Sequence, residues 1–90
     1  MDGRLVVIGG KRWRLRYASP STNGECDPPE TPQKQIRLHK RLRRYPVART
    51  ETIIHEVLHA SAWMLDEALV HQYAEDVTRI LEAEGCLNTP

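Results

Sequence analysis

The five residues His55-Glu56-Val57-Leu58-His59 constrain this chain more than any other stretch. They lie inside Thr52–Ala60, which reads as the middle of a helix. On a helix, residues four apart sit one turn apart on the same face. Both imidazoles can therefore address one ion, each nitrogen about 2.0–2.1 Å from zinc. Glu56 is rotated off that face, where it can hydrogen-bond a water on the metal without being a ligand. Two neutral nitrogens, an open metal position and a base beside the water are what metal-assisted hydrolysis needs. Histidines that only donate to backbone carbonyls are the plainer alternative. The rest of the chain is read by asking how it completes or shields such a site.

Ninety residues allow one domain. A core this small is often marginal alone, so a bound metal can contribute to folding as well as chemistry. No apolar run is long enough to span a bilayer. The start, Met1-Asp2-Gly3-Arg4 followed by Leu5–Ile8, lacks the pattern of a signal peptide, so the expected location is cytoplasmic. Cys26 and Cys86 form no C-x-x-C pair and read as free thiols.

Charge is divided along the chain. Residues 1–49 carry 12 Lys/Arg against 4 Asp/Glu, and residues 50–90 carry 1 against 8, within a net charge of +1. A basic first half raises nucleic acid or an acidic partner. Attraction between the two halves of one small fold explains it equally well.

Arg4–Ile8 is apolar and β-branched, the composition of a strand. Gly9-Gly10 is a hairpin signal. Lys11–Tyr17 then alternates, with Trp13, Leu15 and Tyr17 on one face and Arg12, Arg14 and Arg16 on the other. Ala18–Pro32, with its prolines, predicts loop with no regular element, either walling a cleft or merely connecting. Gln33–His39 predicts a short strand with Ile36 and Leu38 inward. Lys40–Arg44 reads as a solvated basic connector.

Pro46 suits the first turn of a helix reaching about Trp63. Its periodicity puts Val47, Ile54, Leu58 and Ser61 on one side, with the two histidines on the flank. Asp66 is a natural N-cap for a second helix ending near Glu84, before Gly85. Its seam, Val70, Ala74, Val77 and Leu81, faces the first helix. A catalytic zinc usually has three protein ligands. Glu67 is nearest the edge of that seam and opposite His59, which favours a His-His-Glu site. His71 is the alternative, giving three histidines. Glu75 and Asp76 point away. A first-turn acid favoured by the helix dipole is the simpler role for Glu67.

His55-Glu56-Val57-Leu58-His59-Ala60, Trp63, Leu65-Asp66-Glu67, Val70, Ala74 and Val77 resemble the core of minimal zincin-type metallopeptidases. These are small proteins of bacteria and phages, distantly similar to the ImmA/IrrE and SprT-like groups. The resemblance covers roughly the second half of the chain. It implies a zinc hydrolase fold with a short sheet before the motif helix and a third ligand after it. It also implies that the Gln33–His39 strand lies at the sheet edge beside that helix, where an extended peptide could pair.

The expectation is one α+β domain over residues 1–90. A small antiparallel sheet of about three strands, formed by the basic residues 1–45, packs on an antiparallel helical hairpin, residues 46–85. The expected function is a zinc-dependent peptidase acting on a peptide or protein. Zn²⁺ is held by His55, His59 and Glu67, Glu56 is the general base, and Tyr73 or His71 stabilises the oxyanion. The alternative is a non-catalytic zinc-binding module that contacts nucleic acid or a protein through its basic half.

Overall fold

A tight turn at Gly9-Gly10 joins strands β1 (Arg4–Ile8) and β2 (Lys11–Ala18), which pair antiparallel with Val6 opposite Trp13. The structure is a computed structural model describing residues 3–87. Met1 and Asp2, which belong to the expected leaderless start, lie outside the described residues, as do residues 88–90. Among the described residues, no helix is long and apolar enough to cross a membrane.

The sheet departs from the expectation in two respects. It has four strands rather than about three, and it is mixed rather than antiparallel. The additional strand, β3 (Gly24–Cys26), lies inside the segment expected to be loop throughout. Its partner, β4 (Gln35–His39), runs parallel to β2 and antiparallel to β3, giving the order β1-β2-β4-β3. Parallel neighbours need a long crossover. The connection after β2 supplies that length, and some of it pairs on the far side of β4. β4 is therefore an interior strand, with Ile36 and Leu38 fully buried, and β3 takes the edge that the resemblance implied for β4.

The solvated basic connector Lys40–Arg44 takes the form of a 3-10 turn. His39 caps it, its ring accepting from the Arg41 amide, and Leu42 is buried beneath it. Helix α1 (Pro46–Ser61) starts on its proline as expected. Its inward face differs from the predicted stripe. Thr52, Glu56 and Ala60 are buried, Ala48, Ile53 and Val57 pack on the core around Trp13, and Val47 and Ser61 are exposed. The reason is that α1 is covered on two sides, by the sheet and by the second helix, so no single stripe describes it.

Helix α2 (Glu67–Ala83) starts where Asp66 accepts from the Ala68 and Leu69 amides, and stops where the Gly85 and Cys86 amides bond back to Glu82 and Leu81. Those two bonds form the helix-ending motif expected of a glycine just past the last turn. Val70, Ala74 and Thr78 are buried on the seam with α1. The architecture is α+β, a helical hairpin on one face of a small sheet.

Candidate metal centre

The hairpin turn between α1 and α2 brings Glu67 back over the last turns of α1. His55 and His59 project side by side from α1, their Nε2 atoms 3.2 Å apart. The two oxygens of Glu67 meet them one each, Oε1 2.9 Å from His55 Nε2 and Oε2 2.8 Å from His59 Nε2. One ligand atom from each residue lies within 4.8 Å of the others, close enough to bind a metal ion.

The donor set fits a small divalent cation. Tetrahedral ligands with bonds of 2.0–2.1 Å stand about 3.3 Å apart. The histidine nitrogens already have nearly that spacing. Glu67 has to draw back by about half an ångström to share an ion with them. Its side chain is 69% exposed and can do so, whereas the histidines are mostly enclosed. Two imidazoles and a carboxylate suit zinc and other borderline cations.

His71, the alternative third ligand, stands outside this group. Its ring centroid is 6.3 Å from that of His55, and its Nε2 lies 3.6 Å from Glu75 on the next turn of α2. It still lines the cleft. Tyr73 is half exposed and does not line it. His39, on the strand expected beside the cleft, is engaged instead in capping the 3-10 turn.

Glu56 is 6% exposed, on the side of α1 that faces β3. Burial, followed by the charges of Glu67 and Glu25, pushes its carboxyl up to about 7. Gly24 makes room for it. A Cβ at residue 24 would stand 3.2 Å from both Cγ and Oε2 of Glu56, and 2.7 Å from Thr52 Cγ2. Neighbouring Cys26 is a free thiol whose pKa is pushed up to about 12, by burial first and then by Glu56 and Asp27. It is an inert thiol in this environment.

These groups share a cleft of about 570 Å³ between α1, the start of α2 and β3. Thr22, Asn23 and Gly24 form its sheet-side wall, and Trp63, its ring 6.2 Å from that of His59, flanks the histidines. The residues that sequence reasoning missed are those of β3. No periodicity marks Gly24-Glu25-Cys26, and the only signal was the length of the loop that contains them.

Compared with protein-family models, curated proteins and solved structures, the chain matches none.

Proposed function

We propose that this chain is a zinc-dependent peptide hydrolase. One observation carries the reading: a two-histidine, one-carboxylate ligand group opens onto the same cleft as a buried glutamate whose proton affinity is raised to near neutrality. Structural metal sites have no use for such a base, whereas hydrolysis needs one.

His55, His59 and Glu67 would hold the ion. Zinc, when bound there, supplies a Lewis acid that polarises a carbonyl and makes water a competent nucleophile near neutral pH. Glu56 accepts the proton of the attacking water and returns it to the leaving nitrogen. Burial favours the protonated form of this carboxyl, whereas a dication held beside it would favour the charged one, and that opposition suits a group that takes up and returns a proton. Burial against Gly24 and Thr52 fixes the carboxylate and limits competing water.

The edge strand supports a peptide as substrate. Asn23 and Asp27 pair with β4 through His39 N–H to Asn23 O (2.7 Å) and Asp27 N–H to Gln35 O (3.0 Å). In an antiparallel ladder the intervening residues turn their backbone groups to the other side. Gly24 and Cys26 therefore present theirs along the open edge beside the cleft, where an extended chain can add as a further strand. The Gly24 carbonyl accepts from the Thr22 hydroxyl at 2.8 Å, a bond that an arriving strand would share or displace.

The test is cleavage of unfolded, fluorescently labelled casein by the zinc-loaded chain, with products read by mass spectrometry. Cleavage is expected from the wild type, and none from Glu56→Gln, which keeps its zinc. Cleavage by Glu56→Gln at the wild-type rate would remove Glu56 from the chemistry. No cleavage by a fully zinc-loaded wild type, of casein or of a mixed peptide library, would overturn the hydrolase reading.

A further inference from the structure

The metal site leaves the basic segment ahead of α1 unused. Lys40, Arg41, Arg43 and Arg44 are exposed on the 3-10 turn, and Arg49 follows in the first turns of α1. Among the described residues, none of these five cations is paired with an acid. Adjacent like charges repel, and a surface chosen only for solubility mixes both signs. The arginine–carboxylate pairs lie elsewhere: Glu25 and Asp27 hold Arg37, and Glu75 holds Arg79.

Three of the cations are also positioned. The Arg43 guanidinium lies over the Tyr17 ring, 4.4 Å from its centroid. Arg49 Nη1 donates to the Arg43 carbonyl at 3.3 Å, and Arg41 donates to Asn23 Oδ1. Buried Leu42 anchors the turn to the core. Next in the chain comes Tyr45, with 60% of its surface exposed. Its amide and carbonyl belong to the junction with α1, bonding to Leu42 and Arg49, and its ring is left at the surface.

We propose that this surface binds single-stranded nucleic acid, with the Lys40–Arg49 cations on successive phosphates and the Tyr45 ring stacked on a base. A phosphate backbone matches an array of cations with no acid among them. An aromatic face beside such an array is the other half of a single-strand platform. An acidic peptide would neutralise the cations equally well, but a nucleic acid brings an aromatic face with every charge. In a duplex, the bases are already stacked on one another. The surface needs no metal, so it stands independently of the hydrolase reading.

The experiment is fluorescence anisotropy of a labelled 15-residue oligothymidine with the full chain, zinc-loaded and after chelation. Saturable binding is expected in both states. With five phosphates neutralised, affinity should fall about 130-fold between 50 and 200 mM salt. Arg43→Glu with Arg44→Glu should abolish binding, while Lys11→Glu with Arg12→Glu, at the opposite end of the sheet, should leave most of it. Tyr45→Ala should weaken binding about tenfold and Tyr45→Phe should not, because the stack needs the ring and not the hydroxyl. Thermal melts would establish that each variant is folded. Three results would overturn the proposal: no saturable binding at 50 mM salt, equal affinity for a duplex of the same length, or a Tyr45→Ala variant that binds like wild type.

Discussion

Gly24 and Glu56 are in contact across the junction of β3 and α1, so closely that a methyl group on residue 24 would press on the carboxylate. The backbone of an edge strand thereby sets the position of the candidate base. Gly24→Ala should shift Glu56 and Thr52, because a 2.7 Å approach to Thr52 Cγ2 cannot persist. Overpacking of this kind costs about 1–3 kcal/mol. The variant should melt several degrees lower and cleave more slowly, yet bind zinc as wild type does. Calorimetry and metal analysis on the same samples would check this, and an equal loss of zinc would contradict it.

Metal content separates the ligands from their neighbours. His55→Ala, His59→Ala and Glu67→Ala should each lower zinc occupancy, and His71→Ala should not, because His71 is outside the three-atom group. Elemental mass spectrometry after dialysis would read this. Retention of zinc by Glu67→Ala together with loss in His71→Ala would reassign the third ligand.

Chelation should destabilise the protein. A ligand that binds only the folded state, at a hundred times its dissociation constant, adds about 2.7 kcal/mol. For a chain of 90 residues, that corresponds to a drop in melting temperature on the order of 10 °C or more. The same chelator should leave the Glu67→Ala melt almost unmoved.

In the metal-free protein, Glu56 gives stability a dependence on pH opposite to that of an ordinary surface carboxylate. Its folded-state pKa is raised, from 4.5 to about 7, so the folded state holds the proton more tightly than the unfolded chain does. The contribution is fully present below about 4.5 and is lost as pH rises through about 7. Glu56→Gln, uncharged throughout, should lack that loss. Chemical denaturation at several pH values, wild type minus variant, isolates the contribution.

Asp27 works in the other direction. The Arg37 guanidinium, 2.6 Å away, and the Gln35 amide hold its carboxyl below the usual range. Its contribution is present above the ordinary carboxylate pKa of 3.8 and fades as pH falls through the lowered value. Asp27→Asn should cost about 1–3 kcal/mol at neutral pH, through the charged hydrogen bonds it loses. It should also flatten the acid limb of the stability curve. An unchanged acid limb in Asp27→Asn would place the acid sensitivity elsewhere.

Local physics made much of this molecule legible in sequence. The H-E-x-x-H spacing put two imidazoles on one helical face whatever surrounds that helix. Pro46, Asp66 and Gly85 marked helix ends because a missing amide, a capping carboxylate and a residue without Cβ act within one turn. Alternation from Lys11 to Tyr17 marked β2, and the placing of Glu67 beside His59 followed from helical angles and a short hairpin. Tertiary structure alone decided the rest. Gly24-Glu25-Cys26 has no strand pattern, and becomes β3 only because β4 lies alongside with open hydrogen-bonding groups. That pairing moved β4 from the edge to the interior and gave the edge to the residues walling the cleft. Glu56 bears the same stamp: sequence placed it beside the ligands, but its burial, against elements that include a glycine 32 positions away, and the nearby charges of Glu67 and Glu25 raise its proton affinity. Desolvation depends on what packs against a carboxylate, and no neighbour in sequence carries that information.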